Sequence, residues 1–466
     1  MQPRVQGWVR NEFATLVTGS KRLFTRFLIV MTMLSEQPDK SAWLAAGSRG
    51  QAKAAYRMLA NKDLTADAVI SAHRDAISAR MAETNAKRGQ NGRETVLLAV
   101  QDTMSVNYDG HKKTEGLGFT GNNTRGVSVH SCLLLDMNGV PLGVICQNTA
   151  TRPEAKQPGT HSEQRKRPIE EKESNRWLET MREAAENAPK GAKLIHVADR
   201  EGDIYELFAL AQSTGELFVI RAVHDRLDSN NGHIIQTVDN SAAVGIVYVN
   251  IPVNHAKKQK ERVAILELRS GSFDVKRPKT VSATAAPKSV ALNIVIAEEK
   301  DPPEGIEPIK WILLTNLPVE TPDNIIEVIQ IYRKRWKIER FHFVLKSGCA
   351  IEKLQQRSFE GLSKMILLYS IIAIHIMALT YLARTAPDAP ATLLFEDSEI
   401  EILWKAANRT KVPPQRTVTI SEAAALVASL GGFMGAPSDG PPGLKVIWNG
   451  LDRFYTLCTF AEFLGP

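Results

Sequence analysis

Apolar positions change period several times along this chain, and each change predicts a different element. Near the N-terminus they recur at helical spacing in KRLFTRFLIVMTML (residues 21–34), GQAKAAYRMLAN (50–61) and NKDLTADAVISAHRDAI (61–77). Thr65 stands where the third of these helices needs an N-cap. ETVLLAVQDTMSVNY (94–108) then gives a short apolar run ending at Gln101 and Asp102. GVSVHSCLLLDMNGVPLGVICQ (126–147) gives two apolar runs around DMNG, a hairpin signal. An amphipathic helix over EEKESNRWLETMREAAENA (170–188) leads to the buried strand of KLIHVADREGD, a helix in IYELFALAQ and a strand in ELFVIRAV. Strand, hairpin, helix, strand, helix, strand predicts an α/β unit with a mixed sheet.

The texture changes between about residues 226 and 304. GIVYVNIPV, RVAILELRSGSFDVKR and VALNIVIAEE read as strands and turns, an all-β insertion with a basic hairpin. The α/β pattern resumes with a strand in IKWILLTNLPV and a long helix starting near TPDNIIEVIQIY. MILLYSIIAIHIMALTYLA (365–383) holds no formal charge over 19 residues, just enough to cross a bilayer. It carries Ser370, His375 and Thr380 and stands alone, so a buried helix is the expectation. After the Pro/Ala stretch TAPDAPAT come two apolar helices, SEAAALVASLGGFM and GLDRFYTLCTFAEFLG, with a turn at SDGPPG between them. The expected organisation is a helical domain over 1–75, an α/β domain over 76–385 interrupted by a β insertion over 226–304, and a helical domain over 386–466.

Composition changes this picture little, but charge does. Hydrophobic content of 43% and charged content of 23% are ordinary for a globular protein of 466 residues. Cys132, Cys146, Cys349 and Cys458 form no C-x-x-C pair, so neither a zinc ribbon nor a redox motif is suggested. The net charge is +7. Residues 1–62 alone hold ten Lys/Arg against three Asp/Glu, a surplus equal to that of the whole chain. Within them Arg22 and Arg26, and again Lys53 and Arg57, lie four apart on one helix face. Such a face is either solvated or meets phosphates.

Candidate chemistry sits at the strand ends and on the long helix. Asp102 and Asp199 each follow a buried apolar run, where α/β sheets place their sites. In IYRKRWKIERFHFVLKSG (331–348), helical spacing of about 100° per residue puts Tyr332, Arg335, Glu339 and Lys346 in one stripe about 60° wide. At 1.5 Å per residue the stripe is about 21 Å long. Ile331, Ile338, Phe341 and Leu345 make a separate apolar stripe. Two readings stay open here: a solvent face on which Arg335 and Glu339 pair at i,i+4, or a carboxylate held among phosphate-binding cations.

The spacing Tyr332-x2-Arg335-x3-Glu339-x6-Lys346 resembles the Y-R-E-K signature of bacterial DDE transposases of insertion-sequence family four, and within it the transposon five type. AAYRMLANKDLTADAVI, QDTMSVNY, RGVSVHSCLLL, EKESNRW, ADREGDIY, PIKWILLTNLPVE and LGGFM correspond in the same order, so the resemblance covers nearly the whole chain. It implies a ribonuclease H-like core and a catalytic, metal-binding triad of Asp102, Asp199 and Glu339. Two Mg2+ ions are implied, with Mn2+ as a substitute. Tyr332, Arg335 and Lys346 would contact phosphates beside the cut. Trp311 would receive a flipped base, and Arg26 and Arg57 would recognise the transposon end. The implied partners are double-stranded DNA, as transposon ends and target, and a second copy of the chain joined through its C-terminal region, with no membrane. The implied location is the bacterial cytoplasm, at the nucleoid. The implied reaction is cut-and-paste transposition through a hairpin intermediate. An inactive DNA-binding relative that inhibits transposition, and a nuclease without strand transfer, are the alternatives.

Overall fold

The computed structural model describes residues 5–46, 48–87, 94–120, 124–152, 167–251, 260–436 and 439–464. The tip of the expected basic hairpin, 252–259, and most of the loop EAKQPGTHSEQRKRPI lie outside them. Five helices open the chain: α1 (Gly7–Glu12), α2 (Lys21–Glu36), α3 (Ala42–Ala45), α4 (Arg49–Leu59) and α5 (Ala66–Lys87). Local chemistry sets their starts. The Ser20 and Ser48 hydroxyls accept from the backbone N–H of Leu23 and Gln51. The Thr65 hydroxyl caps α5 by accepting from Ala68 N–H at 3.0 Å, as its position in the sequence predicts. Helix α5 is continuous through residues 75 and 76 and docks on the sheet, where the Arg74 guanidinium donates to the Ile145 carbonyl at 2.7 Å.

Strands β1 (Thr95–Asn107), β2 (Gly118–Phe119), β3 (Arg125–Leu135) and β4 (Pro141–Ala150) follow. The DMNG hairpin forms as expected: Gly139 takes φ +81°, and the Asp136 carboxylate accepts from the N–H groups of Asn138 and Val140. Then come α6 (Asn175–Glu186), β5 (Ala192–Ala198), α7 (Tyr205–Thr214) and β6 (Leu217–Arg221). Strand β3 pairs antiparallel with both β1 and β4, whereas β5 pairs parallel to β1 and β6 parallel to β5. Across the sheet the order is β4, β3, β1, β5, β6. This three-antiparallel, two-parallel arrangement is a ribonuclease H-like core.

The insertion does not stand apart from that sheet. It begins with a short helix, α8 (Ile234–Asp239), inside a stretch read from sequence as all-β. Its strands β7 (Gly245–Ile251), β8 (Arg262–Lys276) and β9 (Ser289–Lys300) continue the same sheet through β10 (Lys310–Thr315), which pairs with both β9 and β6. Next come α9 (Pro322–Arg333) and α10 (Trp336–Phe343), then the apolar α11 (Phe359–Thr385). Within α11 an 18-residue apolar window is 83% buried in protein, as expected of a core helix. Three helices close the chain: α12 (Asp397–Asn408), α13 (Ile420–Leu430) and α14 (Leu444–Leu464). Helix α12, which the sequence reading did not find, is started by a capping box between Glu396 and Glu399. One apolar cluster runs from Phe27, Met31 and Leu59 through Leu98 and Val100 to Ile372, Met377, Val427 and Phe454. The terminal helices are thus packed into the same core as the sheet.

Candidate active site

The sheet brings the first two candidate acids side by side. β1 and β5 pair in parallel from Thr95↔Ala192 to Val100↔Val197. The same register carried two residues on sets Asp199 beside Asp102, one strand spacing of about 4.8 Å away. Asp102 is not at a strand end, as the apolar run suggested. Alternating Met104 and Val106 keep β1 paired with β3 as far as Asn107↔Gly126. Asp199 does end its strand, and its carboxylate caps the following 3-10 turn by accepting from Glu201 N–H at 2.9 Å.

Glu339 reaches the same place from α10. The long helix expected from the sequence is tightened between α9 and α10, where Lys334 and Arg335 N–H bond three residues back, to Ile331 and Tyr332 carbonyls. It then widens into a π-helical turn over Val344–Gly348. Arg335, at the tightened turn, spans two acids. One guanidinium nitrogen lies 3.5 Å from Asp102 Oδ2, and another pairs with Glu339 Oε1. The i,i+4 pair that the sequence allowed is therefore present, but in the mouth of the acid cluster rather than on a plain solvent face.

The electrostatics of Asp102 reflect its acidic neighbours. Burial and then the facing Asp199 carboxylate push Asp102 up to about 7, against the opposing pull of Thr103 N–H and Arg335. Cations are what relieve such repulsion. The donors are all carboxylate oxygens, a set that fits a hard divalent cation such as Mg2+. Among the described residues no three His, Cys, Asp or Glu side chains already stand at ligand geometry, and Arg335 supplies the positive charge between Asp102 and Glu339.

The other sequence candidates divide. Tyr332 is only 6% exposed and packs edge-on against Trp311, with ring centroids 6.2 Å apart. Trp311 is half-buried on β10, opposite Ala297 of β9. Lys346 sits in the π turn, 3.6 Å from Glu352, whose carboxylate accepts from Asn107 N–H at the far end of β1. The widened turn thus moves Lys346 away from the straight stripe of an ideal helix. Arg26 and Arg57 lie on α2 and α4 in the N-terminal helical region, outside the acid cluster. Arg57 is exposed and Arg26 half-buried. The sequence reading missed two neighbours of the acids. His342 is held down to about 4 by burial and by Lys346 and Arg335. Arg176, inside EKESNRW, bonds to Thr103 at 3.0 Å and to Glu201 at 2.7 Å. That motif was visible, but no spacing argument ties it to Asp102, because the link is tertiary.

Three family models match the chain. The model described as transposase DNA-binding matches residues 5–64, the transposase DDE domain matches 148–375, and the transposase Tn5 dimerisation domain matches 371–463. The DDE match includes Asp199 and Glu339 and begins after Asp102. Among solved structures, one described as "Cryo-EM structure of piggyBac transposase synaptic complex with hairpin DNA" aligns over 99% of this chain and 79% of its own. Its identity is 11% and its TM-score 0.34, a likeness too low to bear on fold or function.

Proposed function

From the three matched domains, which support a Tn5-like DDE transposase family, we propose that this chain is a cut-and-paste DNA transposase of the insertion-sequence family four kind. The observation that supports the reading is that Asp102 has both Asp199 and Glu339 as charged neighbours, with the Arg335 guanidinium between Asp102 and Glu339. In this reading residues 1–75 bind the transposon end, 76–385 with the insertion at 226–304 carry the chemistry, and 386–466 join two copies. The protein works in the bacterial cytoplasm, at the nucleoid.

Asp102, Asp199 and Glu339 hold two Mg2+ ions, or Mn2+ in their place. When bound, these supply activation of the attacking oxygen and stabilisation of the leaving oxygen. Arg335 releases the acids and turns to a DNA phosphate, exchanging one set of anionic partners for another. Lys346 adds a second phosphate contact, and the Tyr332 hydroxyl a third. In the first step a water oxygen bonds to the phosphorus at the transposon end, and the 3′-oxygen leaves as a 3′-OH. That 3′-OH then attacks the opposite strand, closing a hairpin and releasing the flanking DNA. Water reopens the hairpin, and the freed 3′-OH attacks target DNA. Trp311 takes the base that leaves the stack when the backbone folds into the hairpin. Arg26 and Arg57 read the end.

The test is a cleavage and joining assay on labelled transposon ends. Asp102→Ala, Asp199→Ala and Glu339→Ala should each abolish cleavage while end binding persists, because affinity comes chiefly from phosphate contacts elsewhere. Full cleavage by any one of them removes that residue from the site. Cleavage by the wild type without a joined product would make the protein a nuclease only. End binding without cleavage would make it an inhibitor.

A further inference from the structure

The EKESNRW segment has no part in the reading above, yet its arginine grips both aspartate-bearing elements. Arg176 Nε donates to the Thr103 hydroxyl at 3.0 Å, one residue after Asp102 on β1. Its Nη2 donates to the Glu201 carboxylate at 2.7 Å, in the turn that Asp199 caps. Its Nη1 is held by the Glu173 carbonyl at 3.0 Å. One planar fork thus ties a strand, a turn and the start of α6 together.

The bond to Thr103 opens a longer chain beneath β1. Thr103 Oγ1 lies 2.8 Å from His130 Nδ1, and His130 Nε2 lies 3.4 Å from Gln101 Oε1. Gln101 Nε2 lies 3.3 Å from His196 Nδ1, and His196 Nε2 lies 3.1 Å from the Glu216 carboxylate. A carboxylate only accepts, so with one N–H on each imidazole the direction of every bond from Glu216 back to Thr103 follows. Thr103 accepts from Arg176 and donates to His130. His130 donates to Gln101, Gln101 to His196, and His196 to Glu216. Gln101 and Thr103 are the immediate neighbours of Asp102, on the opposite face of the strand. Gln101, His130 and His196 are buried, where such a chain stays ordered only if each member is satisfied.

We propose that Arg176 is the positioning residue of the acid cluster, holding the Asp199 turn against the Asp102 strand so that both carboxylates stay converged on a divalent cation. The cation half of this rests on the transposase reading; the holding of the turn does not. Two measurements on the full-length protein separate them. Amide hydrogen exchange over residues 199–203 should lose protection in Arg176→Ala, with the rest of the sheet unchanged. Mn2+ half-saturation, followed by the shift it causes in melting temperature, should rise about 10–100-fold, the usual cost of losing a partner behind the ligands. Arg176→Lys, a point charge that reaches one acceptor but not both, should fall between wild type and alanine. Unchanged exchange at 199–203 in Arg176→Ala would overturn the proposal. So would weakened duplex binding with unaltered exchange and Mn2+ titration, which would make Arg176 a phosphate contact. If Asp199→Asn binds Mn2+ as wild type does, the cation reading fails, and the exchange result alone decides the holding role.

Discussion

Glu12 and Asp102 are both carboxylates taken largely out of water, and their surroundings treat them in opposite ways. Burial would raise Glu12, but His73 and Arg80 more than offset it and hold it down to about 2. Its oxygens pair with His73 Nδ1 and, at 2.5 Å, with Arg80. Val144 N–H donates to His73 Nε2 at 2.9 Å, so the cluster fastens α1, α5 and β4 together. Asp102 is instead raised to about 7 by burial and by a second carboxylate, with one guanidinium 3.5 Å away and shared with Glu339. A buried charge that is satisfied is part of the architecture. A buried charge set against its own kind costs stability and persists where chemistry needs it.

The largest expected effect breaks this comparison in two. On the transposase reading, Asp102→Asn should cut the cleavage rate by at least about a thousandfold, through loss of charge that would hold the catalytic cations. It should not lower the melting temperature of the metal-free protein, because it removes a repulsion. Glu12→Gln should do the reverse. Removing one partner of a buried ionic cluster costs ~3 kcal/mol or more, while the fraction that stays folded should cleave normally. Melting curves beside single-turnover cleavage give both numbers. A large loss of stability in Asp102→Asn would place it among the structural acids.

Acid sharpens the same contrast. Glu12 is depressed in the fold, from an ordinary value of 4.5 to about 2. Its stabilisation is therefore complete above about pH 4.5 and is lost as pH falls toward 2. The shift is worth ~3 kcal/mol as an order of magnitude. The gap in unfolding free energy between wild type and Glu12→Gln should be widest near pH 6, partly lost by pH 3 and nearly closed only near pH 2. A gap that does not change with pH would mean that the pairing of Glu12 contributes nothing.

The sequence named the acids as candidates but not the setting that divides them. Asp102 and Asp199 follow apolar runs, and Glu339 falls on a helical stripe, so spacing and resemblance together proposed all three. The Glu12 cluster was invisible because its members come from residues 12, 73, 80 and 144, brought together only by docking of α5 on the sheet. Arg176 was missed for the same reason. The short helix α8 was hidden because six residues are too few for a period to show. The π-helical turn at Val344–Gly348 carries no local signal, so Lys346 was drawn on an ideal helix it does not follow. Continuation of one sheet through β10 into the insertion is likewise a pairing fact, beyond the reach of local pattern.

Two tryptophans repeat the contrast at smaller scale. Trp177 is fully buried, edge-on to His130 at 4.7 Å, and its indole nitrogen has no hydrogen-bond partner among the described residues. Trp311 is half-buried beside Tyr332, with part of its surface open. Trp177→Ala should cost ~3–5 kcal/mol of stability and slow every step alike through unfolding. Trp311→Ala should act on one step. If its ring receives a base as the hairpin closes, the lost stacking of ~1–3 kcal/mol slows that closure roughly 5- to 150-fold. First-strand nicking needs no flipped base and should keep its rate. Time courses on an end-labelled transposon end resolve the two products, and a melting curve reports the fold. Equal slowing of nicking and hairpin closure, together with a lowered melting temperature, would put Trp311 in the same class as Trp177. Slowing confined to hairpin closure, with the melting temperature held, would leave the open face of Trp311 as the surface on which the strained DNA end rests.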